Sequence, residues 1–214
     1  MINSITIVDY GIGNLFSVNR SLEVCCNKKI KISGKPSDIL SSDMIILPGV
    51  GAFANAIREL ERKDLIHPIQ EHVSKGNPIL GICLGLQLFA SSSEEFGRNL
   101  GLDIIPGVVS KIPNQSQDSS LLKIPYIGWA KQEIIHNNEE FNFLDEFKEK
   151  AMYTIHSFQF KPCSSHHLLA QYDYGGNKIT SIIGKDNVIG VQFHPEKSGK
   201  FGLSFLQHLI QNLG

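Results

Sequence analysis

The 214-residue sequence predicts an α/β fold: a single domain over residues 1–214, with a mainly parallel central sheet flanked by helices and an antiparallel extension in the C-terminal third. Three observations predict it. Short apolar strands alternate with amphipathic helices through the first half, no segment repeats at a fixed period, and the final third changes to strand-like alternation broken by turn residues. The length suits one large core better than two.

Residues 5–8 read as the first strand and 9–14 as a turn, after which Leu15, Val18, Leu22 and Cys26 share one helix face. The turn carries Gly11 and Gly13 but lacks the third glycine and the acidic residue of a dinucleotide site. Residues 29–33 form a second strand and a short helix follows Pro36. A buried strand over 44–47 runs into Pro48-Gly49-Val50-Gly51-Ala52-Phe53, then a helix over 54–63. Asn77-Pro78 bounds the next buried strand, 79–82, and Leu84, Leu86, Leu88 and Phe89 switch to a helical pattern. The polar stretches 91–95 and 114–120 read as surface loops, 124–135 as a strand with the single tryptophan, Trp129, and 141–150 as a charged, solvent-facing helix. Strands are then expected over 151–160, 167–174, 178–183 and 188–193, with turns at Gly175-Gly176 and Asp186-Asn187. Phe201, Phe205, Leu206, Leu209 and Ile210 mark a closing helix.

The chemistry concentrates at Gly81-Ile82-Cys83-Leu84-Gly85. A cysteine at a sharp strand-to-helix turn, with glycine two residues before and two after, has the spacing of a nucleophile elbow with sulfur in place of oxygen. The start of a helix also aims free backbone N–H groups at the thiol, which favours the thiolate. The loop at Gly49, Val50 and Gly51 lies at a strand's carboxyl end. If it faces Cys83, the amides of Val50 or Gly51 and of Leu84 can hold the oxyanion of a tetrahedral intermediate. A base and an orienting acid are offered by His194-Pro195-Glu196: proline stiffens the turn, and Glu196 can fold back on the imidazole. His156, also in a strand, is the competing base.

Composition narrows the class. Twenty basic against 21 acidic residues give a net charge of −1, and the basic residues are scattered, so neither nucleic acid nor a membrane surface is an expected partner. No apolar run approaches membrane-spanning length and the N-terminus starts directly on a strand, which predicts a cytoplasmic protein. Cys25, Cys26, Cys83 and Cys163 have neither metal-site spacing nor the density of a disulfide scaffold, and no metal or cofactor is expected.

These residues resemble the class I, triad-type glutamine amidotransferases, and among them the glutaminase (HisH-type) subunits of imidazole glycerol phosphate synthases. The resemblance rests on Asp9-Tyr10-Gly11-Ile12-Gly13-Asn14, on residues 48–53, on the Cys83 elbow through Gln87, and on Gly190-Val191-Gln192-Phe193-His194-Pro195-Glu196-Lys197-Ser198, in that order along nearly the whole chain. It implies a Cys83, His194, Glu196 triad that hydrolyses L-glutamine to glutamate and ammonia through a γ-glutamyl thioester. It also implies glutamine contacts at Gln87, His156 and Ser157, and a partner face at Asn14, Trp129 and Lys197. The implied partner is a HisF-type (β/α)₈ synthase subunit that receives the ammonia in histidine biosynthesis, and whose docking corrects an oxyanion hole misformed at Gly49-Val50.

Two motifs depart from the family pattern. Its His-x-Gly-Trp-Asn stands here as Tyr126-Ile127-Gly128-Trp129-Ala130, and its Tyr-x-x-His-Ser-Tyr ends here in Phe158. Paralogues that feed ammonia to synthase-like partners making amidino groups on sugars are therefore the alternative reading. A stand-alone cysteine peptidase or γ-glutamyl hydrolase on the same scaffold is a further one.

Overall fold

The computed structural model describes residues 2–135 and 139–213. In chain order its elements are β1 Ser4–Val8, α1 Leu15–Cys25, β2 Lys29–Ser33, α2 Pro36–Leu40, β3 Met44–Gly49, α3 Phe53–Arg62, α4 Ile66–Ser74, β4 Ile79–Cys83, α5 Leu84–Gln87, β5 Ser92–Ser93, β6 Asn99–Leu100, β7 Gly107–Lys111, β8 Tyr126–Lys131, β9 Glu133–Ile134, β10 Ala151–His156, β11 Phe158–Pro162, β12 Leu168–Tyr174, β13 Asn177–Lys185, β14 Val188–Val191 and α6 Gly199–Asn212. Short 3-10 segments occupy Glu139–Phe147, Ser165–His167 and Pro195–Lys197.

The main sheet has the order β2-β1-β3-β4-β14-β13-β12-β9. Pairing is parallel from β2 through to β14 and antiparallel from there to β9, as the sequence predicts. Strands buried on both faces explain the continuous apolar runs. Met44 and Ile46 of β3 enter one core with Val18 and Leu22 of α1 and Phe205 and Leu209 of α6. Ile45 and Leu47, pointing the other way, enter a second with Ile39, Leu60 and Ile69 of α2 to α4. The outer strand β2 presents Lys29 and Lys31 to solvent, which discourages further strand pairing. Among the described residues no helix is long and apolar enough to cross a membrane.

Four expectations need correction. The helix after Cys83 lasts a single turn: Phe89 and Ala90 bond back to Leu86 and Gln87 in tight turns, and the chain leaves for a second sheet of order β11-β7-β5-β6. Residues 91–95 are accordingly not a plain surface loop, because Ser92 and Ser93 form β5 and Glu95 is buried. Segment 141–150 is not a solvent-facing helix either. Its charges alternate with Phe141, Phe143, Leu144 and Phe147, all buried, and the Phe147 ring meets Phe205 edge-on at 5.4 Å. The run 151–160 is two strands broken at Ser157, and neither joins the main sheet: β10 pairs with β8, β11 with β7. Helix α4, with Pro68 in its first turn, is additional to the predicted elements.

Candidate active site

Cys83 ends β4 with φ 55° and ψ −109°, a conformation side chains rarely adopt. Its neighbours make room for it. A Cβ on Gly85 would lie 1.8 Å from the Leu47 carbonyl oxygen, and one on Gly81 2.7 Å from the Leu86 nitrogen. Only glycine allows the turn to close this tightly against β3 and its own helix. Because α5 is one turn long, few peptide dipoles line up behind the thiol, and its electrostatic support has to come from side chains and single amides.

The parallel register sets Gly49 of β3 directly beside Cys83. The loop that follows therefore emerges next to the thiol, and Val50, Gly51 and Leu84 line one cleft with it. Gly51 takes φ +92°. Tyr10, at the end of β1, is buried beneath this loop and donates a 2.8 Å hydrogen bond to the Pro48 carbonyl. Burial, with a smaller contribution from the Cys83 charge, holds the phenol well above its ordinary range and so un-ionised.

His194 follows β14, the strand paired with β4 on its other side. Its Nδ1–H donates to Glu196 Oε1 at 2.8 Å, both side chains being buried, and the Pro195–Lys197 turn folds the carboxylate back. The ring thereby offers Nε2 to the sulfur. Burial presses the imidazole pKa down, but hydrogen bonding and charge from Cys83 and Glu196 outweigh it and raise the group from 6.5 to about 9. The backbone is fixed as well: His194 N–H donates to Tyr153 O at 2.8 Å, and the Ser198 hydroxyl donates to His194 O at 2.7 Å while accepting from Tyr153 N–H at 2.9 Å.

Together these residues wall a cleft of about 340 Å³, with Gln87, His156 and Ser157 on its lining. His156 is not placed as a competing base. Its Nδ1 lies 2.7 Å from the Phe158 carbonyl, which only accepts, and its Nε2 lies 2.8 Å from Tyr172 Oη. Burial brings its pKa down to about 4, so the ring is neutral and both nitrogens are committed.

Three residues at the site escape sequence reasoning. Glu95 lines the cleft, and its carboxylate accepts from Phe53 N–H at 2.6 Å; set in a serine-rich stretch, it carries no signal. Gln192 directs Nε2 to Cys83 Sγ at 3.7 Å, and a buried glutamine within the apolar run 188–193 was a readable signal. Tyr172 looked like any strand tyrosine.

Of the residues expected at a partner face, Lys197 alone lines the cleft, with Nζ 5.9 Å from the Tyr153 ring centre. Trp129 is 57% exposed and meets the same ring edge-on at 5.9 Å. Asn14 is exposed and caps α1 by accepting from Ser17 N–H. Among the described residues no group of three His, Cys, Asp or Glu side chains is arranged to hold a metal ion.

A thiol beside an imidazole that is itself held by a carboxylate, in one cleft, can perform acyl transfer. The sequence model of the family described as glutamine amidotransferase class-I matches residues 6–211. The chain is 39% identical to the imidazole glycerol phosphate synthase subunit HisH 1 of Legionella pneumophila (strain Paris), with 98% of this chain and 99% of that one covered. It is 41% identical to the imidazole glycerol phosphate synthase subunit HisH of Prochlorococcus marinus (strain MIT 9211), covering 99% and 95%. Among solved structures, PurLQS from Thermotoga maritima superposes with a TM-score of 0.72 over the full length of both chains at 17% identity, a likeness of fold. Family match and relatives alike extend over nearly the whole sequence, and on that ground the chain belongs to the class-I glutamine amidotransferases.

Proposed function

We propose that this chain is the glutaminase subunit of an imidazole glycerol phosphate synthase, releasing ammonia from L-glutamine for a HisF-type (β/α)₈ partner. The observation that carries the reading is the convergence of Cys83 and His194 on one cleft, with Glu196 hydrogen-bonded behind the ring, in a chain whose full-length relatives bear that name.

Glutamine enters with its side-chain amide against Cys83. The thiolate attacks the amide carbon, and backbone N–H groups from Val50, Gly51 and Leu84 take the developing oxyanion. The imidazolium of His194 gives its Nε2 proton to the departing ammonia, leaving a γ-glutamyl thioester. The now neutral ring draws a proton from water, the hydroxide attacks the thioester, and glutamate leaves as the thiolate re-forms. Glu196 keeps the ring in the required tautomer and supports its positive charge. The buried carboxylate of Glu95 suits the α-ammonium group of the substrate, with Gln87, His156 and Ser157 shaping the rest of the cleft. Asn14, Trp129 and Lys197 form the docking face, so the partner binds over the loop that holds the oxyanion amides. Location in the cytoplasm follows from the same reading.

One observation favours the sugar-amidation reading as a second. Two of the three departing residues lie together: the Tyr126 ring packs on Tyr172 at 5.0 Å and Ala130 lies in the same small cluster, while Phe158 packs against one of the large cores.

The test is glutamate release by the purified chain, alone and with the histidine-pathway synthase subunit, with and without that subunit's nucleotide substrate. Strong stimulation needing both supports the assignment. No response to a demonstrably active synthase moves the partner to the sugar-amidation paralogue, and full activity alone favours a stand-alone hydrolase. Cys83→Ala should abolish glutamine-dependent synthesis while free ammonia still sustains it.

A further inference from the structure

We propose that Gln192 is the hydrogen-bond donor that stabilises the Cys83 sulfur as a thiolate, and that the Phe158 carbonyl fixes its orientation through Gln87. The proposal rests on the glutaminase reading for its meaning in turnover, while its geometry belongs to the free chain.

The polarity of this chain of hydrogen bonds follows from its members. The Phe158 carbonyl only accepts, and it receives both His156 Nδ1–H at 2.7 Å and Gln87 Nε2–H at 2.9 Å. With its proton on Nδ1, neutral His156 must accept at Nε2, and the Tyr172 hydroxyl donates there at 2.8 Å. Gln87 therefore turns its NH₂ group inward, and the second hydrogen of that group goes to Gln192 Oε1 at 3.0 Å. An amide whose oxygen is so engaged can show the sulfur only its nitrogen. Gln192 Nε2 lies 3.7 Å from Cys83 Sγ, and Gln192 itself is fully buried. The sulfur's other polar neighbour on this side is the Ile155 carbonyl at 3.8 Å, which accepts from the thiol but gives nothing to a thiolate. Ionisation thus exchanges that contact for dependence on Gln192 and on His194. In a buried site a donor to a charged group is worth more than one to a neutral group.

The experiment is the rate of Cys83 alkylation by iodoacetamide on the purified chain across pH 6–9. Mass spectrometry of the Cys83 peptide keeps it apart from the exposed Cys163. Gln192→Met, of similar volume but without a donor, should slow alkylation at neutral pH by about tenfold or more and move the profile to higher pH. Gln192→Glu, closer in shape but facing the sulfur with an oxygen, should be no faster than Gln192→Met; a purely packing role would rank it above. Gln87→Met takes away the donor that holds Gln192 Oε1 and should slow alkylation by about two- to fivefold, whereas Tyr172→Phe leaves the Phe158 carbonyl accepting from Gln87 and should stay within about twofold of the parent.

Parental rates in a folded Gln192→Met variant overturn the thiolate role. Parental rates in Gln87→Met overturn the orientation through Gln87, and that variant decides the matter if neither Gln192 variant folds. No glutamine is present in this assay. A chain that shows the expected ranking yet releases no glutamate under any condition overturns the glutaminase reading and leaves this proposal standing.

Discussion

Gly49 and Cys83 are register partners on neighbouring parallel strands, so the amide loop and the thiol leave the sheet at the same level. The contact is close on every side: a Cβ on Gly49 would lie 2.6 Å from Tyr10 Oη and 2.9 Å from Leu84 Cβ.

The glycines around the site should consequently rank in their cost when replaced by alanine. Gly85→Ala, forced against the Leu47 backbone, should destabilise by more than about 3 kcal/mol, and Gly49→Ala by about 1–3 kcal/mol. Gly51→Ala has open space around it and should cost about 1 kcal/mol for its φ of +92° alone. Urea unfolding of the three variants checks the order, and a Gly51 variant as damaged as the Gly85 one would contradict it.

Strain at Cys83 gives an unusual sign. Elsewhere in regular structure glycine is less stable than alanine by about 0.5–1 kcal/mol. At φ 55° and ψ −109° the comparison should reverse, with Cys83→Gly more stable than Cys83→Ala by about 1 kcal/mol. Melting curves of the two inactive variants, measured side by side, decide this.

The raised pKa of His194 fixes a pH dependence. A group that ionises at 6.5 unfolded and about 9 folded contributes stability that is complete below about pH 6.5 and is lost as pH rises through 9. Glu196→Gln removes part of that rise, so the stability gap between parent and variant should narrow from pH 6 to pH 10. Denaturant titrations at both ends test it, and a gap that widens towards pH 10 would refute the ion-pair account.

Turnover should separate the roles of base and orienting acid. His194→Ala is expected to reduce glutamate release by roughly 10³-fold or more, Glu196→Gln by about 10–10²-fold, since an amide oxygen can still accept from Nδ1–H. The second carboxylate oxygen of Glu196 is buried without a protein partner among the described residues, so the amide NH₂ there should also cost about 1–3 kcal/mol of stability. Equal losses of activity in two folded variants would remove the distinction.

How much of this was readable depended on whether a residue's task is local. Gly81 and the Pro195 turn serve neighbours a few positions away, Gly85 stands in the same short motif although its close contact is Leu47 on β3, and the strands of the parallel half show as unbroken apolar runs, so the elbow and the sheet were legible. Segment 141–150 was misread because its charged residues are conspicuous, while the phenylalanines between them answer to Phe205 on a helix some sixty positions later. Glu95 and Tyr172 have no local pattern, because what defines each is a partner brought in by a distant element: Phe53 N–H at the start of α3 for one, His156 of β10 for the other. Gln192 alone left a trace, as an amide where an apolar strand had no use for one.

The strand order also has a temporal meaning. Strand β14, the last in chain order among the described residues, sits in the middle of the sheet between β4 and β13. Cys83 is synthesised more than a hundred residues before His194, and the histidine that an earlier strand brings to the cleft, His156, has both ring nitrogens committed elsewhere. A growing chain therefore carries its nucleophile without this base until β14 slides into the gap between β4 and β13.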